Sequence, residues 1–540
     1  HGKNEKCGVT AANTNSMIYR QTARAAEYAA LFYCNLPAVL YADALNAEKS
    51  KLFLKTARYV LIFSITLSII ERYKDILGAI SLDCKQFFKQ INGKKIAMCG
   101  IGVSNTPLIL NFLNKGATVY ACDRRSREQI GALADELENA GAALRLGDGY
   151  LDNLEVDIIF RTPGMNFNLP ELEAARKKGI AVTSEMEVFF DLCPATIFAV
   201  TGSDGKTTTT TLIAKMLEAE GKTVHLGGNI GKPLLPEIES IKPEDFVVAE
   251  LSSFQLISMR KSPDVAVVTN VAPNHLDIHK DMDEYVEAKK NILLHQNAFS
   301  RTVLNRDNDI TREFRKYVRG QSLSFSMEQP LKNGAWLDTD GTIHMAYRGI
   351  DAPIMHRSEI AVLGDHNVAN YLAAIAAVWG YVGIDSIKRV AHEFKGVEHR
   401  IEFVRELDGV KYYNDSIASS PTRTIAGLKA FDRKVLLIAG GYDKHIPFEP
   451  MIPYIIEKVK KLYLCGNTAE KIEKCVRADE NYKGEPEIVR VKNIDEAVAA
   501  AHKDAVSGDI VTLSPACASF DMFPNFVARG NYYKDLVNKL

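Results

Sequence analysis

TIFAVTGSDGKTTTTTLIAK, residues 196–215, decides how the rest of the chain is read. Ile197 to Val200 form a short apolar run, the chain turns through Gly202 and Gly205, and Lys206 opens a threonine-rich stretch of helical character. A strand that empties through glycines into a helix N-terminus is a phosphate cradle. Its backbone N–H groups and the positive end of the helix both point at the anion. Gly202, Ser203, Asp204, Gly205, Lys206, Thr207 and Thr208 are the candidate contacts; Lys206 supplies a charge and Thr207 a hydroxyl suited to magnesium. The spacing is unusual. A common P-loop has four residues between its first glycine and its Gly-Lys pair, whereas two separate Gly202 from Gly205, and Val200 stands where the longer pattern wants glycine. A solvated turn before a helix is the plainer alternative, but strand, glycines, lysine and threonine coincide in the context a cradle demands.

The chain has 540 residues, 46% hydrophobic and 25% charged, which suits three or four ordinary globular domains. With 66 basic and 67 acidic residues there is no positive surplus to neutralise a polynucleotide, so no nucleic-acid partner is expected. Nine scattered cysteines without a C-x-x-C pair argue against a disulfide framework or a zinc site and fit a reducing cytoplasm. Residues 59–70, YVLIFSITLSII, are apolar but number twelve, short of the roughly 20 a spanning helix needs. A buried or dimer-forming helix is the preferred reading there, with interfacial membrane attachment the alternative. Residues 1–85 are expected to be a helical extension of unassigned role.

From Lys94 a regular alternation begins. KKIAMCGIGVSN and ATVYACDRR predict the opening strand, glycine turn, helix and second strand of a doubly wound nucleotide domain, with Asn105 in place of a third glycine. Gly102, Asp123, Arg125 and Gly164 then lie at strand ends, where such sheets bind ligands. Past the cradle, the strand 246–249 delivers Glu250, where a magnesium carboxylate sits in P-loop enzymes, and VAVVTNV leads to His275, read as a metal ligand or phosphate contact. Periodicity alone places Lys289 and Lys290 on a solvated helix face. LGDHNVANYLAAIAAV predicts a helix capped by Asp365 or Asn367, and GVKYYNDSIASSPTRT opens a further α/β unit. The residues themselves support an enzyme of ATP and magnesium, with no serine or cysteine nucleophile in a catalytic context.

TGSDGKTTTT, GGNIGKP, ELSSFQL, NVAPNHLD, EAKKN, LGDHNVAN, His399-Arg400, NDSIASSPTRT and SPACASFDMFPNF occur in an order that resembles the Mur ligases, over residues 88–540. These are ATP-dependent amide ligases of bacterial peptidoglycan precursor synthesis. The resemblance implies a Rossmann-like UDP-binding domain at 86–190, a central P-loop ATPase-like domain at 191–397 and a C-terminal Rossmann-like domain at 398–540. The GIGVSN opening and the C-terminal motif are similar to the branch that adds D-glutamate to UDP-N-acetylmuramoyl-L-alanine through an acyl phosphate. By that resemblance Lys206 neutralises the β/γ-phosphates, while Asn370, Arg400 and Asp415 meet adenine, phosphate and ribose. Thr207 and Glu250 hold one Mg2+, and His275 with a carbamylated Lys289 holds a second. Gly102, Val103, Ser104, Asp123, Arg125, Gly164 and Asn229 serve the UDP substrate; Lys444, Ser519 and Phe526 hold D-glutamate. A cytoplasmic monomer is expected.

One departure bears on the site. Ile417 stands where many members of the family have a lysine, so a contact to the amino acid or the acyl phosphate is missing or replaced, with Arg423 the nearest substitute. The alternatives weighed against this reading are a Mur-type ligase for another amino acid, a nicotinamide oxidoreductase built on Gly100 and Gly102, and an ATP-binding protein without ligase chemistry.

Overall fold

The computed structural model describes residues 84–102, 105–273, 279–444 and 446–540. The N-terminal stretch before Cys84, with its apolar segment 59–70, lies outside the described residues, as do Val103, Ser104 and His275. The chain divides into two compact units, one made of residues 1–98 and 108–158, the other of residues 99–107 and 159–540. Among the described residues no helix is long and apolar enough to cross a membrane.

In the first unit the helix Cys84–Ile91 precedes three strands, which lie in the order Ala143–Leu146, Thr118–Asp123, Lys95–Cys99. Apolar runs such as Ile96 to Cys99 are wholly buried, as expected of parallel strands covered on both faces.

The second unit holds two large α/β sheets. The first has nine strands, in the order Ile350–His356, Thr342–Tyr347, Gly334–Leu337, Gln321–Ser326, Arg301–Asn305, Val265–Val268, Thr196–Thr201, Phe246–Glu250, Val224–Gly228. It is parallel from Gly334–Leu337 onward, and the small antiparallel excursion expected after Asn305 forms its far edge. Three adjacent parallel strands, 265–268, 196–201 and 246–250, therefore end on one edge, which sets Thr269, Gly202 and Glu250 side by side.

Behind that edge the helix Lys206–Ala219 packs on the helix Asp365–Val378, which is buried without a break from Asn370 to Val378. Four of the second helix's five alanines, Ala373, Ala374, Ala376 and Ala377, are buried in this core. In the threonine run, Thr210 Oγ1 donates to the Lys206 carbonyl and Thr211 Oγ1 to the Thr207 carbonyl, both at 2.8 Å, so these hydroxyls find partners within the helix. Neither Asp365 nor Asn367 caps the second helix, contrary to expectation. Gly364 is its N-cap and Asp365 its first residue, while the Asn367 amide turns back to the Leu363 carbonyl.

The second sheet has six strands, in the order Glu402–Leu407, Val410–Asn414, Ile510–Leu513, Val435–Ala439, Val459–Leu464, Glu487–Arg490, parallel after the first pair. Arg529, fully buried on the C-terminal helix Phe526–Lys539, ties its strand-end loops together. Its guanidinium donates to the Ser416 hydroxyl and carbonyl and to the Cys517 and Ala518 carbonyls, at 2.9–3.1 Å.

Buried Glu185, at the start of the helix Glu185–Leu192, accepts from the Leu234 and Leu235 amides at 2.9 and 2.8 Å and anchors the 229–235 loop. Burial pushes its carboxyl from 4.5 up to about 7, against the two amide bonds. The folded protein therefore holds this proton more tightly than the unfolded chain, and the associated stability is lost as pH rises from about 4.5 through about 7. Glu185→Gln keeps the acceptor and removes the charge. Urea unfolding should show the variant gaining on the wild type with rising pH, to about 3 kcal/mol at pH 8; a difference independent of pH would contradict this assignment.

Candidate active site

The turn after Thr201 is held by geometry that only glycine satisfies at two points. Gly205 has φ +77° and a Cβ there would lie 2.4 Å from Asn370 Oδ1; Gly202 has φ +153° and a Cβ would meet Thr269 Oγ1 at 1.9 Å. Asn270 braces the loop between them, its Oδ1 accepting from the Ser203 and Asp204 amides at 3.2 and 2.9 Å. The Ser203 hydroxyl donates to the Ala272 carbonyl and meets the Tyr285 hydroxyl, at 2.8 and 3.0 Å. Thr269 and Asn270 were visible in the sequence, but only the sheet order reveals that they abut the cradle.

Lys206 folds over this turn, with Nζ donating to the Gly202 and Ser203 carbonyls at 3.0 and 2.9 Å. Burial lowers its pKa, and the negative charges of Glu250 and Asp204 oppose the fall. Thr207 Oγ1 donates to Glu250 Oε2 at 2.7 Å, and Asn229 Nδ2 donates to Glu250 Oε1 at 2.8 Å. Glu250 is buried and its hydrogen-bond donors are neutral. A carboxylate and a hydroxyl, both hard oxygen donors at the tip of a cradle strand, fit a magnesium ion. Among the described residues no group of three His, Cys, Asp or Glu side chains gathers as a metal site, so any further donor must come from elsewhere.

Lys289 corrects the reading from periodicity. It lies on the inner face of the helix Met282–Leu294, 1% exposed, with Nζ donating to the Gly202 carbonyl at 2.8 Å and standing 4.5 Å from the Tyr285 ring centre. Its pKa falls well below the usual lysine value, first through burial and then through the Lys206 charge. A neutral amine is the form that adds carbon dioxide, and the resulting carbamate would be a hard oxygen ligand. The chemistry of Lys289 therefore fits the expected modification. Lys290 is the partly exposed neighbour, paired with Glu287.

These groups line one cavity of about 610 Å3 together with Asn370, Arg400, Asp415, Arg423 and Phe526. Asn370 Oδ1 accepts from Thr209 Oγ1 at 3.2 Å, which holds it against Gly205. Asp415 is buried, accepting from Ser514 Oγ at 2.7 Å and the Ile401 amide at 3.3 Å, and burial pushes its carboxyl up to about 7. Arg400 Nε is buried in the same wall and has no hydrogen-bond partner among the described residues. Phe526 packs edge-on to His399, with ring centres 6.0 Å apart.

Other expected site residues are not among those that line this cavity. Lys444 and Ser519 do not line it; Lys444 is exposed, and buried Ser519 uses its carbonyl to close the turn to Met522 and Phe523. Asp123 and Arg125 belong to the first unit, where the Arg125 side chain folds back on the Asp123 carboxylate at 2.8–2.9 Å. Gly102 and Gly164 lie in the second unit and do not line this cavity; near Gly102, Asn105 Nδ2 pins the Cys99 and Gly100 carbonyls at 3.2 and 3.0 Å. Asn229, expected near the UDP substrate, lines the cavity and binds Glu250.

Residues 200–378 match the model of the Mur ligase middle domain, and residues 399–517 match that of the Mur ligase glutamate ligase domain. A curated relative in Acetivibrio thermocellus, named UDP-N-acetylmuramoylalanine–D-glutamate ligase, is 55% identical over 84% of this chain and 98% of its own length. The chain belongs to the Mur ligase family. A relative of the same name in Clostridium botulinum strain Alaska E43 is 51% identical over 85% of this chain and 99% of its own. The solved UDP-N-acetylmuramate-alanine ligase MurC of Thermotoga maritima shares the fold, with a TM-score of 0.52 at 18% identity over 83% of this chain and 99% of that one.

The cradle of this Mur ligase yields a paired test. Gly205→Ala and Gly221→Ala place alanine at φ +77° and +78°, but only the first meets an atom, since nothing lies within 4 Å of Gly221. Backbone strain should cost each about 1–2 kcal/mol of stability, and displacing Asn370 should cost Gly205→Ala more, both measured by urea unfolding. Only Gly205→Ala should raise the KM for ATP, by about tenfold or more, because Asn370 must move. Equal ATP kinetics in the two variants would contradict the reading.

Proposed function

We propose that this Mur ligase joins D-glutamate to UDP-N-acetylmuramoyl-L-alanine at the expense of ATP, a step in building peptidoglycan precursors in the cytoplasm. The observation that carries the reading is the single cavity in which Lys206, Thr207 and Glu250 face Asn370, Arg400 and Asp415. The names of relatives more than half identical in sequence supply the choice of substrates.

In the first step a carboxylate oxygen of the UDP substrate attacks the γ-phosphorus of ATP and ADP leaves, giving an acyl phosphate. The amine of D-glutamate then attacks the acyl carbon, and the tetrahedral intermediate collapses with loss of phosphate and a proton. Catalysis of this kind is mostly positioning and charge neutralisation. The first N–H groups of the helix Lys206–Ala219 would meet the phosphates, Lys206 and Arg400 would offset their charge, and Asn370 and Asp415 would meet adenine and ribose. Thr207 and Glu250 would hold a magnesium ion, and a carbamylated Lys289 with His275 a second; such ions supply charge stabilisation at the phosphoryl group. Lys206 and Arg400, whose Nε has no hydrogen-bond partner among the described residues, favour oxyanions in this space.

The domain limits 86–190, 191–397 and 398–540 belong to the same proposal. The first would bind the uridine nucleotide with Gly102, Val103, Ser104, Asp123, Arg125 and Gly164 as the candidate contacts. The last would bind the amino acid through Lys444, Ser519 and Phe526. A monomer suffices for this chemistry.

Phosphate release measured with a panel of amino acids tests the assignment. It should require ATP, UDP-N-acetylmuramoyl-L-alanine and D-glutamate together. Release with L-alanine or diaminopimelate in place of D-glutamate, or without any amino acid, would overturn it.

A further inference from the structure

The helix Pro421–Lys429 carries an arginine where helix physics disfavours one. Arg423 lies in its first turn, at the positive end of the helix, with no acidic residue in that turn and no side-chain cap from Ser420. Nη1 donates to the Ile417 carbonyl at 3.2 Å, and this bond occupies one of the five N–H donors of the guanidinium. The side chain is exposed to the cavity that Lys206, Glu250, Asp415, Ile417 and Phe526 also line. Burial lowers the pKa of Lys206 at the cradle and of Lys444 beyond it, and the Arg423 charge adds to the fall at both. In the same wall Arg400 Nε has no hydrogen-bond partner among the described residues.

We propose that Arg423 binds a carboxylate of the incoming dicarboxylic amino acid and so sets amino-acid specificity. This rests on the ligase reading above. The cradle and Lys206 already serve the phosphates, and the substrate left to be held is an amino acid with two carboxylates. Lys444, a point charge, suits one of them. A guanidinium on a rigid helix suits the other, because its fork matches a carboxylate with two parallel bonds. Ile417, apolar beside it, offers no competing charge.

Arg423→Met keeps much of the stem and removes the charge; Arg423→Lys restores a charge without the fork. Steady-state kinetics with wild type in parallel should show Arg423→Met raising the KM for D-glutamate by roughly ten- to a hundredfold. The KM values for ATP and for the UDP substrate should stay within about twofold, and Arg423→Lys should recover part of the loss. An unchanged KM for D-glutamate overturns the proposal. So does a rise in the KM for ATP instead, which would assign the guanidinium to phosphate, or a fall in kcat alone, which would make its role structural. If wild type itself does not use D-glutamate, it is the ligase reading that fails; a normal wild type with an unaffected variant sinks the role of Arg423 alone.

Discussion

Everything at this site depends on the passage of one turn through a gap that admits no side chain. Between Thr201 and Lys206 the backbone runs with positive φ at Gly202 and Gly205, pressed between Thr269 on one side and Asn370 on the other. Thr269 is fixed by the neighbouring parallel strand and Asn370 by the buried helix that packs on the cradle helix. The turn therefore cannot relax outward or inward. Lys206, Thr207 and Lys289 take their positions from it, the first and last by bonding its carbonyl oxygens.

Charge is arranged around this turn in a way that a folded core alone would not favour. Lys206 and Lys289 are both brought to the Gly202 carbonyl, and burial weakens the charged form of each. Glu250 and Asp415 are buried carboxylates held by neutral donors. Such placements cost stability unless ligands complete them. Polyphosphate, metal and carboxylate groups would supply the missing counter-charges, and so a site costly to keep empty suits the ligands proposed for it.

Much of this was legible in the sequence because it is local. The strand, two glycines, lysine and threonine of the cradle are contiguous, and Glu250 follows an apolar strand whose type and length are unambiguous. What spacing could not reveal depends on three-dimensional neighbours. Lys289 reads as solvated because a lysine on an amphipathic helix usually is; its burial follows from which face meets Tyr285 and the cradle. Asn367 looks like a cap, but Gly364 takes that position and the asparagine bonds a carbonyl instead. The brace formed by Asn270 needs the order of strands, and the contact of Asn229 with Glu250 needs the pairing of the strands 224–228 and 246–250. Arg423 was flagged only by a substitution at Ile417, and its access to the cavity became visible once the helix Pro421–Lys429 was placed.

The central claim is that the cradle directs the γ-phosphoryl group to a carboxylate and not to water. The most direct measurement uses UDP-N-acetylmuramoyl-L-alanine labelled with 18O in its alanine carboxylate, turned over with ATP and D-glutamate, with the released phosphate analysed by mass. Transfer through an acyl phosphate carries one labelled oxygen from each carboxylate into phosphate. Phosphate free of label, formed at the same rate, would mean that water is the acceptor and would contradict the account.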